Sequence, residues 1–262
     1  MRSSSKDITV FFILFLFSLS GCTGINYNIL TGKENIAFIS EEKEVRLGKR
    51  IAKQVEKEYE LIQNPRVRDV VKEVGYRLVE NCDRKGIVYH FEAIKRIRDY
   101  DKEEPNAFAL PGGYIYINDK ILNLIGEDNK DEIAAVLAHE ISHIVLRHSV
   151  LRLQESMGLQ ALLIIIGTNA KDASTVGKSN LALILMMLAY TKEREREADR
   201  LAIKYMKNSG YNPRAIISLF EKIKEYQFSS SIKPYHVKTH PYMDERIELV
   251  ERELRTDKAL KD

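Results

Sequence analysis

The stretch from Asn129 to His148 restricts the fold of this chain more than any other segment. Beyond Asn129-Lys130-Asp131-Glu132 it runs through Ile133, Val136, Leu137, Ile141 and Ile144, apolar positions at helical spacing, with Glu140 the one acidic residue inside the run. Asn129 and Glu132 form a capping pair at the start, so the run reads as the opening of a helix extending to about residue 166. Within it lies His139-Glu140-Ile141-Ser142-His143. Side chains four apart share a face of a helix, so both imidazoles can reach one metal ion while Glu140 projects beside it. Two packed histidines on an apolar helix are the bland alternative, and burying such a pair without a partner is costly. A zinc ion brings the pKa of a bound water toward ~7, and a carboxylate next to it can take the proton and pass it to a leaving amine. The constellation therefore points to peptide-bond hydrolysis, with His139 and His143 as ligands and Glu140 as general base.

A catalytic zinc needs a third protein ligand and one open position. The run Lys192-Glu193-Arg194-Glu195-Arg196-Glu197-Ala198-Asp199 offers three glutamates, and composition alone does not choose among them or exclude a solvated, salt-bridged helix face.

The remaining sequence sets a frame around these residues. A chain of 262 residues, 44% apolar and 30% charged, is long enough for one well-buried core. Its net charge of +3 is spread over interleaved acidic and basic residues, which leaves no footprint for nucleic acid, and there is no phosphate-cradling glycine loop. Helices are expected over 40–60, with Ser40 as N-cap, from Asn64-Pro65 through Leu78, and then over roughly 129–166, 181–208, 213–226 and 241–255. Ile87, Tyr89, Phe91 and Ala93 alternate with other residues, as do the residues of Gly113 to Asn118, and these two stretches read as strands. The fold class is α+β, predominantly helical, with one small β-sheet.

The N-terminus carries a separate message. Arg2 and Lys6 precede an apolar run of about twelve residues from Ile8 to Leu19, shorter than the ~20 that span a bilayer, followed by small residues. This is the plan of an export signal. Leu19-Ser20-Gly21-Cys22 resembles the lipobox of bacterial lipoproteins, which implies cleavage before Cys22 and a lipid on its thiol. The expected organisation is a signal peptide at 1–21, a lipidated tether at 22–39 and a zinc metallopeptidase domain at 40–262. The second cysteine, Cys82, follows Leu78 by one helical turn and reads as a small core residue with no disulfide partner.

Taken together, His139-Glu140-Ile141-Ser142-His143, the later Glu195-Arg196-Glu197-Ala198-Asp199, Asn106-Ala107-Phe108-Ala109-Leu110-Pro111-Gly112-Gly113, and Thr239-His240-Pro241 with Glu245-Arg246-Ile247 resemble one gluzincin family. It includes the CAAX prenyl endopeptidase, the heat-shock protease HtpX and periplasmic lipoprotein proteases of outer-membrane quality control, and the similarity spans residues 30–250. The resemblance implies a zincin-like fold with one Zn2+ per chain and makes Glu195 the third ligand. It makes Asp199 a carboxylate that orients a ligand histidine such as His139. His240 is expected to face the metal, either steadying the tetrahedral intermediate or occupying the open zinc position in a latent state, with Arg246 in the same region. Asn106, Gly112, Gly113 and Tyr114 are candidate substrate-binding residues, because an edge strand near the zinc can pair with an extended peptide; an ordinary core hairpin is the equal alternative.

The implied partners are unfolded or misassembled envelope proteins, a membrane reached through lipidated Cys22, and envelope assembly machinery, on the periplasmic face of the outer membrane. A client-holding factor with latent activity, or a lipoprotein whose zinc only stabilises the fold, are the rival readings. His148 lies nine residues after His139, half a turn out of phase on a continuous helix, and is expected to point away from the metal. His90 and His236 have no ligand-like spacing. The apolar runs 159–166 and 181–188 read either as core or as a mobile helical hairpin over the cleft, with the loop 167–180 between them.

Overall fold

The computed structural model describes residues 24–27, 30, 32, 34–97, 105–158, 189–229 and 240–259. The export signal, Cys22, His236 and the runs at 159–188 lie outside the described residues.

Two sheets and eight helices are present among them. Strands β1 (Gly24–Tyr27) and β2 (Glu34–Ala37) pair antiparallel as a two-stranded ribbon. Where a tether is expected, the chain is thus already paired, and Ala37 and Ile39 are fully buried, so the packed structure begins before Ser40. Helix α1 (Glu41–Glu58) follows, its N-cap Ser40 accepting a hydrogen bond from the Lys43 amide. Next come β3 (Tyr59–Leu61), α2 (Pro65–Val79), β4 (His90–Arg96), β5 (Ala107–Leu110) and β6 (Tyr114–Asn118). The remaining helices are α3 (Asp119–Ile125), α4 (Lys130–Val145), α5 (His148–Met157), α6 (Lys192–Asn208), α7 (Ala215–Ser229) and α8 (Met243–Ala259).

Four strands form the main sheet in the order β3-β4-β6-β5, where two are expected. The β4–β6 pair is parallel and the outer pairs are antiparallel. Both faces are covered. Phe91, Ala93, Ala107, Ala109, Ile115 and Ile117 join the core formed with α2, α4, α6 and α7. Ile94, Phe108, Leu110 and Tyr116 join a second core with Leu47, Ile51 and Val55 of α1 and Val150 and Leu153 of α5. The period-two alternation of a strand divides its side chains between the two layers. Cys82 is buried in the first core, as expected.

Strands β5 and β6 form the tight hairpin whose turn is Pro111–Gly113. Gly113 has φ +101°, and a Cβ there would lie 2.2 Å from the Val88 carbonyl oxygen. Only glycine fits that approach. Gly48 of α1 packs on the same turn, since a Cβ added to it would sit 1.8 Å from the Pro111 carbonyl oxygen. The hairpin thereby fixes α1 against the sheet.

The long helix expected from 129 onward breaks after Val145. Arg147 takes a left-handed conformation, φ 56° and ψ 27°, and α5 starts anew at His148. For a residue with a Cβ this conformation costs roughly 1–2 kcal/mol. It is held by tertiary contacts: the Arg147 Nε donates to Glu44 Oε2 at 2.7 Å, and its terminal nitrogen donates to the Ile39 carbonyl at 2.7 Å. Glu44, 1% exposed, also accepts two hydrogen bonds from Arg84, at 3.0 and 2.9 Å, and Arg84 donates to the Ile144 carbonyl near the end of α4 at 2.9 Å. Neighbouring buried cations thus share one buried carboxylate, and the chain is forced to turn where helical propensity alone would carry it on.

Candidate metal centre

Helix α4 is buried along almost its whole length and packs most extensively against α6. Asn129 caps α4 by accepting from the Glu132 amide at 3.3 Å. The reciprocal half of the expected capping pair does not form, because the Glu132 side chain is drawn to Ser218 and to Lys222 Nζ on α7.

Four side chains converge where the second half of α4 meets the start of α6 and the residue just before α8. His139 and His143, four apart on α4, place their Nε2 atoms 3.0 Å from each other. Glu195 Oε2 lies 3.5 Å from His139 Nε2, and Glu195 Oε1 lies 3.5 Å from His143 Nε2. His240 Nδ1 is 3.2 Å from His139 Nε2 and 3.1 Å from Glu195 Oε1. All four residues are buried, and one donor atom of each lies within 4.8 Å of every other.

These separations fit a zinc ion. Donors at ~2.0–2.1 Å from a tetrahedral centre stand about 3.3–3.4 Å apart, and nitrogen and carboxylate donors suit the metal. The hydrogen-bond pattern agrees. With Nδ1 of His139 facing Asp199 Oδ1 at 3.0 Å, its Nε2 is the atom turned toward His143 Nε2 and the other donors. Glu140 stands beside the cluster at 1% exposure, and neither of its carboxylate oxygens has a hydrogen-bond partner among the described residues. His240 Nε2 lies 3.6 Å from its Oε1, so the Glu140 carboxylate faces the same cluster as the donors.

Arg246 of α8 ties the parts together from behind. It donates twice to Asp199, at 2.8 and 2.7 Å, and pairs with Glu195 Oε2 at 2.7 Å. Asp199, one turn after Glu195 on α6, meets the Nδ1 of His139 and so sets its ring and tautomer.

Without a metal, the ionisation of the cluster is set by burial against these pairings. Burial drives His143 well below the ordinary histidine range. Burial and Arg246 push His139 down as well, but the hydrogen bonds that its ring donates to the Asp199 and Glu195 carboxylates outweigh them and raise it to about 9. Burial would raise Glu195, yet Arg246 and the surrounding histidines hold it well below the usual carboxylate range. A charged ligand carboxylate is thus ready before any metal arrives.

Burial also separates the three glutamates of α6. Glu195 is fully buried in the cluster, Glu193 is exposed, and Glu197 lies to one side with its oxygen 3.2 Å from His148. His148 stays outside the donor cluster, in keeping with the expectation, but the continuous helix behind that expectation does not form: the imidazole is fully buried behind His143, its Nδ1 2.9 Å from Nδ1 of His143. The break at Arg147 restarts the helical phase and returns the imidazole to the site, and no local signal in the sequence announces it. Tyr190, also missed by sequence reasoning, stacks on His143 with ring centroids 3.9 Å apart.

The four candidate substrate-binding residues lie in and around the hairpin of β5, the edge strand of the sheet, and β6. A small cavity opens on His139, Glu140 and Arg246 between walls that include Ala202, Leu219 and Phe220, and none of the four lines it. Asn106 pairs with Asn118 through its backbone while its own Oδ1 has no hydrogen-bond partner among the described residues, Gly112 donates its amide to Glu44, Gly113 meets Val88, and Tyr114 stacks on His90. Strand β5 is buried along its length, and the carbonyl of Ala109 accepts from Ser149. These contacts favour the core-hairpin reading of the segment.

The profile of Peptidase family M48 matches residues 62–254, a span that contains every member of the cluster. The chain belongs to this family. Its matched region is a metalloendopeptidase domain, with the predominantly helical α+β fold described above. Among known proteins, it is 28% identical over 220 residues to the beta-barrel assembly-enhancing protease of Yersinia pestis, covering 80% of this chain and 44% of that protein. It is 29% identical over 219 residues to the protein of the same name from Escherichia coli K12, with 80% and 43% covered. The mitochondrial metalloendopeptidase OMA1 of Schizosaccharomyces pombe is 30% identical over 148 residues, with 56% and 43% covered. The chain spans less than half the length of these relatives.

The burial pattern of α6 yields a direct test. Glu195→Gln should weaken zinc retention by more than the ~10–100-fold that loss of a ligand's supporting hydrogen bond costs. Glu193→Gln should leave it unchanged. Chelator competition followed by metal analysis reads both, and equal retention in the two variants would remove Glu195 from the ligand set.

Proposed function

We propose that this chain is a zinc-dependent endopeptidase acting on unfolded or misassembled envelope proteins. One observation carries the reading: four donors, His139, His143, Glu195 and His240, converge at tetrahedral spacing beside a Glu140 carboxylate that has no hydrogen-bond partner among the described residues. When bound, zinc supplies Lewis acidity, lowering the pKa of water at the site to ~7 and polarising a carbonyl. The residues of the chain do the rest. Glu140 takes a proton at its free carboxylate and returns it to the leaving nitrogen. Asp199 and Arg246 fix the orientation of His139, and Arg246 keeps the surplus negative charge of Glu195 and Asp199 tolerable in a buried site.

The substrate class and place of action rest on the sequence and on the relatives' names. Proteins called beta-barrel assembly-enhancing proteases match four-fifths of the chain, and the N-terminal plan of export signal and lipobox fits a lipoprotein tethered at Cys22, facing the periplasm from the outer membrane. Among the described residues no helix is long and apolar enough to cross a membrane. Envelope assembly machinery is the fitting partner for such a tethered enzyme.

The position of His240 supports a second, compatible feature. As a fourth donor it would fill the place that water and substrate need, giving a latent, capped state that could also hold clients without cutting them.

Three outcomes test this reading. Glu140→Gln should retain zinc and lose about 10²–10⁴-fold in cleavage of unfolded casein, since it removes the base and no ligand. Wild-type cleavage by that variant would refute the mechanism. His240→Ala should increase cleavage, by roughly tenfold if the uncapped form is ~10% of the resting population; a loss of cleavage with zinc retained would instead show that His240 serves the transition state. Cys22→Ser should abolish metabolic labelling with palmitate and leave the protein uncleaved or soluble, and undiminished labelling would place the anchor elsewhere.

A further inference from the structure

The second ligand histidine has a support of its own, built from residues that the zinc site and its chemistry do not account for. His143 reaches the donor cluster with Nε2, so its Nδ1 faces away, and that atom lies 2.9 Å from Nδ1 of His148. Nε2 of His148 in turn lies 3.2 Å from Glu197 Oε2. Both rings are fully buried, whereas Glu197 retains 14% of its side-chain exposure. If His143 binds a metal through Nε2, its proton sits on Nδ1 and must be donated. The acceptor is Nδ1 of His148, which leaves the His148 proton on Nε2, pointing at the Glu197 carboxylate. One arrangement of protons satisfies every contact in this line.

We infer that His148 and Glu197 are positioning residues that hold His143 in its metal-binding tautomer and orientation, an imidazole extending the reach of a carboxylate too distant to act directly. The two ligand histidines of α4 are then supported in different ways. His139 meets Asp199 directly at 3.0 Å, while His143 meets Glu197 through an intervening ring. Both carboxylates come from α6, where they follow Glu195 and are separated from each other by a single residue, so one helix supplies a ligand and both supports. The geometry of the break at Arg147 has a purpose on this account. Without it, His148 would continue the phase of α4 and leave Nδ1 of His143 facing the apolar layer.

The inference rests on the zinc reading above, and the experiment separates the two. The purified protein and its variants are titrated with zinc against a chelator, and the cobalt-substituted forms are examined by visible absorption, which reports ligand geometry without reference to turnover. His148→Ala and Glu197→Ala should each weaken zinc binding by about 10–100-fold and change the cobalt spectrum. His148→Gln, whose amide oxygen can accept from His143, should recover part of the loss. Glu193→Ala, an exposed neighbour on the same helix, should match the wild type. Should His148→Ala fail to fold, Glu197→Ala carries the test alone, because that side chain reaches the surface. Wild-type affinity and spectrum in Glu197→Ala and in any folded His148 variant would overturn the positioning role while leaving the metal site intact. A wild-type protein that binds neither metal would overturn the zinc reading and this inference with it.

Discussion

Three carboxylates and one guanidinium, those of Glu140, Glu195, Asp199 and Arg246, are held at 0–1% exposure inside an otherwise apolar helix layer. Removing ions from water costs several kcal/mol each even after relaxation, so such a group persists only if its charges are balanced locally. Arg246 balances one carboxylate. Two negative charges remain when the histidines are neutral, and they surround the point on which His139, His143 and His240 converge. A divalent cation settles the balance in one step. The metal, on this view, is an electrostatic condition of the packing between α4, α6 and α8 as well as a reagent, and metal binding contributes to folding. In its absence the cluster holds one proton on His139, raised to about 9 by Asp199 and Glu195, which is a partial substitute.

A second economy of buried charge shapes the C-terminal end of α4, directly behind the metal cluster. Glu44, Arg84 and Arg147 form a compact network that terminates α4, holds Arg147 in a left-handed conformation and anchors the hairpin turn through the Gly112 amide. Breaking such a network at one member leaves its partners buried and unpaired, which costs more than the pair itself is worth. Its consequence reaches the metal site, because the direction of His148 depends on where α5 starts. A carboxylate on α1 is in this way coupled to a ligand histidine on α4 through the backbone of one strained residue.

How much of this could be read in advance follows from the range of each interaction. His139, Glu140 and His143 are i, i+1 and i+4 on one helix, a local pattern, and the structure brings the two imidazoles together as spacing requires. Caps at Ser40 and Asn64 are equally local and form as expected. The third ligand was open among Glu193, Glu195 and Glu197 until resemblance to a family chose, because all three share a helix turn and only burial distinguishes them. Strand β5 is not marked by periodicity: it is four residues, all buried, with no exposed position to create an alternation. The break at Arg147 passed unseen for a different reason, since its cause is a side chain 103 residues away. Glu132 likewise stands at a capping position in the sequence, yet Lys222 on a distant helix outcompetes the local amide. Local rules located the chemistry; contacts distant in sequence decided which neighbours support it.

The four donors are not equivalent in how the fold presents them. His139, His143 and Glu195 project from the interiors of two long helices that pack against each other, so moving any of them means disturbing the core. His240 comes from outside any helix, just before α8, and two residues later Tyr242 has φ 72°, a region that costs a residue with a Cβ on the order of 1–3 kcal/mol. A strained turn next to a ligand lowers the barrier to exchanging that ligand, because rearrangement relieves strain as it breaks the contact. Hydrolysis requires one position of a tetrahedral ion to be given up to water and then to a carbonyl, while the charge balance of the buried site requires the ion to stay. Assigning the two requirements to different parts of the chain reconciles them. On the proposed zinc reading, helices α4 and α6 would hold the ion through three donors supported from behind, and the turn before α8 would supply the one donor that can leave.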